Sequence, residues 1–315
     1  MTAMTDPRLY LSSSPHVGAP DSVSSIMGNV VLALVPSIVA SVIFFGMHAL
    51  AVTVVCVITC VATEALCTRL SGRVQTVGDL SAVVTGILLA FNLPPSVPLW
   101  LPVIGGVFAI GVVKFLFGGI GQNIVNPALA ARAALLASWP ALMTRWTLDG
   151  VSTATPLALL KHVPGGALPS FWSLFAGHVG GCLGETSALA LLIGGAWLLY
   201  KKIISWHIPV VYLATVLVLT TLLGRHGFFT GNGIYELFAG GLMLGAFFMA
   251  TDYTTSPFTK NGQMIFAAGC GVLTTVIRLY GGYTEGVSYS ILIMNLFTPM
   301  IDRFMTPHVF GEVKH

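Results

Sequence analysis

Leu80-Ser81-Ala82-Val83-Val84-Thr85-Gly86-Ile87-Leu88-Leu89-Ala90-Phe91 is apolar almost throughout, and Asn92-Leu93-Pro94-Pro95-Ser96-Val97-Pro98 follows it at once. A twelve-residue helix rises roughly 18 Å at about 1.5 Å per residue, well short of a hydrocarbon core roughly 30 Å thick. The backbone cannot continue as a regular helix through Pro94 and Pro95. Exposed to lipid, its freed carbonyls would be prohibitively costly, so protein or water must surround them. A second short apolar stretch, Leu237–Ala250, runs into Thr251-Asp252-Tyr253-Thr254-Thr255-Ser256-Pro257. Two interrupted segments at matching places in two halves point to an internal repeat with a site near the membrane centre.

The composition sets the frame for that reading. Of 315 residues, 55% are hydrophobic and 8% charged, with mean hydropathy +0.88. A soluble domain carries about 25% charged residues, so this chain is a polytopic membrane protein. No basic run or aromatic-basic platform is present for nucleic acid. Cys56, Cys60, Cys67, Cys182 and Cys270 form no C-x-x-C pair; they read as small packing residues, and no metal site is expected. Met1 to Ser25 lacks the basic-then-apolar order of a cleaved signal peptide.

A spanning helix needs about 17–25 apolar residues. About ten segments come near that: Met27–Gly46, Ala49–Leu66, Leu80–Phe91, Pro98–Leu116 and Ala128–Met143, then Ala176–Tyr200, Ile203–Leu223, Leu237–Ala250, Gly262–Leu279 and Ser288–Ile301. The halves align weakly. Thr85 to Ala90 corresponds to Leu244 to Met249, and Val112-Val113-Lys114 to Val276-Ile277-Arg278. With five segments in each half, the second enters from the opposite side. The predicted fold is all-α: about ten transmembrane helices as two inverted five-helix repeats with paired short helices.

The predicted divisions are a cytoplasmic segment 1–25, a first membrane repeat 26–143, an external loop 144–175, a second membrane repeat 176–302 and a cytoplasmic tail 303–315. Charge sets the orientation. The side bearing the N-terminus carries Arg8, Arg69, Arg73, Lys114, Lys201, Lys202, Lys260, Arg303 and Lys314; the other carries Arg145, Lys161, Arg225 and Arg278. The excess makes the first side cytoplasmic, places both termini inside and turns the central loop outward.

Ionisable residues within the membrane are costly and are functional candidates by default. Glu64 ends the second segment as an interfacial carboxylate or a functional one. Arg132 and Glu185 lie deeper and form a possible structural pair. Asp79 and Asp252 stand at the edges of the short segments, where Asp79 could equally cap a helix. These four deep or edge residues, Arg132, Glu185, Asp79 and Asp252, are the candidates for an ion path or an inner cofactor site. The turn Phe117-Gly118-Gly119-Ile120-Gly121-Gln122-Asn123-Ile124-Val125-Asn126-Pro127 lacks the strand and the acid of a dinucleotide fingerprint. Its amides, Asn123 and Asn126, suit a flavin ring edge or a loop carbonyl.

The longest polar interval holds Asp149-Gly150-Val151-Ser152-Thr153-Ala154-Thr155-Pro156. Locally, Thr155 reads as an N-cap, Pro156 as the first helical position and Leu157–Lys161 as a short apolar helix. A phosphate ester on such a threonine would face unsatisfied N–H groups.

The run Asp149 to Thr155 resembles the flavinylation motif, Asp-x-x-Ser-Gly-Ala-Thr, of a membrane family. That family comprises the D subunit of the Rnf ferredoxin:NAD oxidoreductase and the B subunit of the sodium-pumping NADH:quinone oxidoreductase. Thr153 stands where the family has glycine. The resemblance continues through Ser13-Ser14-Pro15-His16, Asp79 to Gly86, the Gly118–Ala128 turn, Gly184-Glu185-Thr186-Ser187, Gly245 to Asp252, Ser256-Pro257, Gly286, Met294-Asn295 and Asp302. The length is similar to that of the Rnf member rather than its quinone-reductase relative.

The resemblance implies FMN joined through its phosphate to Thr155, with Asp149, Ser152 and Ala154 as the attachment motif, set by a separate flavin transferase on an exposed loop. It also implies a second, non-covalent flavin, riboflavin, within the membrane portion. The implied partners are the other subunits of an Rnf complex, including the other covalently flavinylated subunit, in a bacterial inner membrane. The implied activity is electron transfer between ferredoxin and NAD coupled to sodium or proton translocation, the chain acting as one part of the complex and not alone. The rival reading is an inverted-repeat solute channel or transporter without redox function.

Overall fold

The computed structural model describes residues 22–73, 75–148, 151–162, 168–185, 187–224, 229 and 231–305. Asp149, Thr186, the segment Ser13–His16 and the tail beyond Met305 lie outside them.

The described chain is overwhelmingly helical. Ser22 caps α1 (Val23–Phe45), its hydroxyl accepting from Ser25 N at 3.1 Å. Gly46, at φ +75°, turns the chain directly into α2 (Met47–Leu70). The first short helix, α3, is Ser81–Phe91. Next, α4 (Trp100–Val107) continues as a π-helical stretch, Phe108–Phe115. The fifth expected segment is broken by Pro140 into α5 (Pro127–Ser138) and α6 (Pro140–Met143).

A two-residue ribbon follows, β1 (Thr147–Leu148) antiparallel to β2 (Val151–Ser152), pairing Thr147 with Ser152 and Leu148 with Val151. Beyond it come α7 (Pro156–His162), α8 (Phe171–Ala176), α9 (Ala188–Tyr200), α10 (His207–Leu222), α11 (Gly233–Phe238), α12 (Leu242–Leu244) with a π-helical continuation Gly245–Met249, α13 (Lys260–Tyr280) and α14 (Val287–Phe304).

Among the described residues three helices, α1, α2 and α13, are long and apolar enough to cross a membrane. Their outer faces are apolar: Leu32, Val35, Val39 and Ile43 on α1, Val54, Ile58 and Leu66 on α2, and Ile265, Val272 and Val276 on α13 are all exposed. Contiguous aliphatic surface of this kind is a lipid-facing wall, since water would penalise it. The helices approach closely through small residues. A Cβ at Gly194 of α9 would lie 2.0 Å from Ala33 O of α1, and one at Gly86 of α3 would lie 2.7 Å from Val57 Cα of α2.

Two more of the expected segments are broken. Ala176–Tyr200 is not one helix: α8 ends at Gly177, residues 177–185 carry no helix, and α9 begins only at Ala188. The sequence there holds four glycines, whose backbone entropy disfavours a helix. Leu237–Ala250 is likewise broken, between α11 and α12, around Gly240 at φ +70°.

The irregular stretches are satisfied by protein, as a membrane setting demands. Leu183 N donates to Leu93 O (3.0 Å), Gly184 N to Phe91 O (3.1 Å) and Cys182 Sγ to Asn92 O (3.4 Å). The carbonyls of Phe91, Asn92 and Leu93 are thus paired with the chain before α9, not with the Asp252 turn. The two short helices nevertheless meet at their C-terminal ends, where Asn92 Nδ2 lies 3.8 Å from Met249 Sδ. Asn295 joins the halves as well: its buried amide, oriented to satisfy both groups, donates to Thr255 O (3.2 Å) and accepts from Asn126 N (3.1 Å).

Candidate functional site

The sequence candidates separate into two places. The first is a cavity of about 100 Å³ between the halves, lined by residues of α3, the Gly-rich turn and the Gly245–Met249 stretch. Asn123, Asn126, Lys114, Ser81 and Asp252 reach it. Asn126 caps α5, its Oδ1 accepting from Ala128 N (3.0 Å) and Leu129 N (3.3 Å), and its Nδ2 donates to Met249 O at 3.4 Å. Met249 ends the π-helical stretch, so this bond ties α5 to it. Asn123 Oδ1 is buried with no hydrogen-bond partner.

Asp252 shapes the turn after Met249. Its carboxylate accepts from Thr254 N (3.4 Å), Thr254 Oγ1 (3.1 Å) and Thr255 Oγ1 (3.3 Å). Asp79 is a cap: its Oδ1 accepts from Ser81 N (2.8 Å) and Ser81 Oγ (2.5 Å) at the start of α3. Ser81 Oγ also accepts from Lys114 Nζ at 2.6 Å, and Lys114 forms a buried ion pair with Glu64 at 2.8 Å. Glu64 is therefore a buried, paired carboxylate, and Lys114 is not a loop charge. Thr76 completes the set, donating to Glu64 Oε1 at 2.7 Å.

The second place is the Thr155 loop. Thr155 is the N-cap of α7, accepting from Ala158 N at 3.2 Å, with Pro156 at the first helical position. The helix has only seven residues, so it offers local N–H groups rather than a macrodipole. Beneath it Leu157, Leu174, Val179, Tyr235 and Ala239 form a small apolar core. Burial in that core pushes the Tyr235 phenol up to about 12. Lys161 fastens the far end of α7 by donating to Gly281 O and Tyr283 O.

Contrary to the expectation of an exposed hydroxyl, Thr155 is only 2% exposed. Ser152 and Ala154 are exposed, and Thr153 is half-buried with an unpartnered Oγ1. The space behind Thr155 is about 10 Å³, shared with Glu185 and Glu285. That is about one water molecule's worth. In this closed form the loop has no room for a flavin phosphate at Thr155, and the fit requires the loop to open. Asn123 and Asn126, in the central cavity, do not share this space.

Arg132 and Glu185 do pair. Arg132 Nη1 lies 2.8 Å from Glu185 Oε1 and donates to Asn92 Oδ1 at 2.8 Å. Nη2 lies 2.7 Å from Glu285 Oε2. Glu285 escapes a reading of the sequence because Tyr283-Thr284-Glu285-Gly286 looks like a solvated turn. The need of Arg132 for compensation is the available signal.

A family model described as NQR2, RnfD, RnfE family matches residues 10–311. The chain belongs to that family. It is 54% identical to the D subunit of the Na(+)-translocating ferredoxin:NAD(+) oxidoreductase complex of Acetobacterium woodii, over 99% of this chain and 98% of that protein. It is 48% identical to the D subunit of the proton-translocating ferredoxin:NAD(+) oxidoreductase complex of Clostridium ljungdahlii, over 96% of each. A more distant relative is the D subunit of the ion-translocating oxidoreductase complex of Halorhodospira halophila, 39% identical over 96% of each. As a family member the chain carries the buried Glu64–Lys114 and Arg132–Glu185–Glu285 groups inside a membrane protein, where uncompensated charge is not tolerated.

Proposed function

We propose that this chain is the flavin-bearing membrane electron-transfer subunit of a bacterial Rnf-type complex, carrying FMN as a phosphoester on Thr155. The complex passes electrons between ferredoxin and NAD and couples that flow to movement of sodium or protons. The observation that carries the reading is the end-to-end likeness to the Acetobacterium woodii protein, together with the Asp149–Thr155 run. The relatives' names differ in the ion they cite, one sodium and one proton, so the choice of ion is left to measurement.

When bound, a flavin supplies one-electron and two-electron redox chemistry; the protein supplies attachment, position and electrostatics. Thr155 offers the hydroxyl. Its burial means that the transferase acts on an opened loop. Lys161 and the Leu157–Tyr235 core hold the closed form that precedes that opening. The other partners are the remaining subunits, including the second covalently flavinylated one, in the inner membrane with both termini cytoplasmic and the loop outside.

The central cavity suits an ion path better than a flavin ring. At about 100 Å³ it is smaller than the roughly 300–1,000 Å³ typical of small-molecule sites. An adjoining hollow of about 650 Å³, lined by Lys202, Ser205, Trp206, Tyr253 and Gln263 among others, is wide enough for a non-covalent riboflavin. The two share Ile203, Ile204, Thr251 and Tyr253, so a second flavin there would lie against the Asp252 turn.

A denaturing gel viewed under ultraviolet light tests the main reading. Fluorescence that stays with the polypeptide, and intact mass raised by one flavin phosphate, support it. A dark band and unmodified mass from a cell that makes the transferase favour a transporter without redox function.

A further inference from the structure

Along α2 the exposed residues recur at every fourth position: Val54, Ile58, Ala62, Leu66 and Leu70. Residues four apart share one helix face, so these five make a single apolar stripe. It carries the lipid-facing wall into the last turn of the helix, where Leu70 is 77% exposed. There the chemistry changes. Arg69 lies in that last turn and Arg73 just past the cap, both exposed.

The cap places the second arginine. Gly72, at φ +62°, lets the chain reverse: its N–H donates to Arg69 O (3.3 Å), and Arg73 N donates to Thr68 O (3.1 Å). From there Arg73 Nη1 donates to Gly118 O at 3.2 Å, and the guanidinium lies 5.3 Å from the centre of the Phe115 ring. Phe115 ends the π-helical continuation of α4, and Leu116 and Phe117 beyond it are exposed. Arg73 thus ties the end of α2 to the end of that stretch, with exposed leucines on both sides of the tie.

Among the described residues, neither arginine forms an ion pair. Glu64 is taken by Lys114, and Asp79 by Ser81. Of the five N–H donors on a guanidinium, Arg73 has one engaged and Arg69 none. The opposite end of α2 is different. Around Gly46, Ile43 and Met47 are exposed, and residues 43–50 include no lysine or arginine. The positive charge belongs to one end of the stripe.

An alkyl surface that ends in two unneutralised guanidiniums fits an amphiphile with a hydrocarbon tail and an anionic head. A helix of another subunit would cover the leucines but leave the arginines in want of carboxylates. A phosphodiester on acyl chains brings anion and alkyl surface together, and guanidinium is well matched to phosphate oxygens. We propose that this end of α2 binds an anionic phospholipid, its phosphate held by Arg69 and Arg73 and its acyl chain lying along Leu70, Leu66 and Leu116. The site is independent of the flavin on Thr155 and of which face of the membrane is cytoplasmic.

A phosphatidylglycerol with a diazirine in its acyl chain, in vesicles holding the whole complex, reads the contact. On illumination the label should enter the peptide containing Leu66 and Leu70, or the one containing Leu116. Unlabelled phosphatidylglycerol should suppress this, phosphatidylcholine of the same chains much less, and inorganic phosphate not at all. Equal suppression by phosphatidylcholine overturns the proposal, and so does full suppression by inorganic phosphate, which would make the place a small-anion site. These arms need no variant. Arg69→Gln and Arg73→Gln should each weaken the competition by phosphatidylglycerol about five-fold, the size expected of one basic residue at a charged leaflet. Lys260→Gln, which removes an exposed lysine at the start of α13, should not change it. Competition unaltered when both arginines are replaced, or no labelling because another subunit lies over Leu66 and Leu70, also overturns the assignment.

Discussion

Lys114 Nζ lies 2.8 Å from Glu64 Oε1, with both side chains 4% exposed, joining α2 to the π-helical end of α4. Removing one partner of a buried pair strands the other and costs about 3–5 kcal/mol, whereas removing both is often neutral. Lys114→Met alone should therefore lower the melting temperature of the detergent-solubilised chain sharply. Glu64→Gln with Lys114→Met should recover most of the loss. Equal melting of the single and double variants would show that the pair carries no coupling.

Close helix packing gives a second prediction. A Cβ at Gly194 would stand 2.0 Å from the Ala33 carbonyl, which is backbone and cannot swing aside. Gly194→Ala should part α1 from α9 at a cost of about 1–3 kcal/mol, typical of overpacking. Gly282→Ala, with no atom within 4 Å of the added Cβ, is the control and should melt like the wild type. Comparable melting of the two variants would count against the α1–α9 contact.

Much of this architecture is legible in the sequence, and the exceptions have physical causes. The ends of α3 and α13 fall within two residues of where apolar runs meet Gly, Pro and capping residues, whereas α10 begins four residues after Ile203 and α14 ends three after Ile301. The stretch before α9 is not legible in that way, because hydropathy measures burial and not helicity: residues 179–185 are buried but irregular, paired with Phe91 O and Leu93 O. Lys114 and Arg278 look like loop charges because they flank glycine turns, yet both are buried within helices. Removing one from each side leaves the charge asymmetry in place. Arg132 with Glu185 is legible as two intramembrane charges needing each other. Glu285 is not, since only the fold brings the α13–α14 turn against α5.

Thr155, rather than Thr153 or Ser152, should carry the flavin. Thr155→Ala should abolish covalent fluorescence while the chain still inserts, and whatever flavin a Ser152→Ala chain carries should still map to Thr155, although Ser152 is an exposed hydroxyl. Lys161→Ala, by loosening the contact of α7 with Gly281 and Tyr283, should speed flavinylation by the transferase in vitro. A flavin mass on the Thr155→Ala chain would move the ester to a neighbour.

The proposed orientation rests on the lysines and arginines that remain in loops, and on an odd number of crossings expected between the central loop and the C-terminus. Reporter fusions at Lys161 and at the C-terminus should report opposite faces of the membrane. The same face for both would remove the inverted repeat along with the sidedness.

Asp252 offers the last test. It stands at the end of the second short helix, in the lining of the central cavity, and its carboxylate holds the turn through Thr254 and Thr255. Asparagine keeps one oxygen to accept from these donors, so Asp252→Asn should fold and retain the Thr155-linked flavin. It removes the charge that a passing cation would meet beside Asn123, whose Oδ1 has no partner of its own. Ion-coupled electron transfer in membrane vesicles should fall while uncoupled flavin reduction by dithionite is unchanged. If ion uptake per electron is the same in Asp252→Asn as in the wild type, the cavity is not the path. The pairing of α3 with the Gly245–Met249 stretch would then be structural, an anchor through Asn92, Asn126 and Asn295 that holds the two halves together.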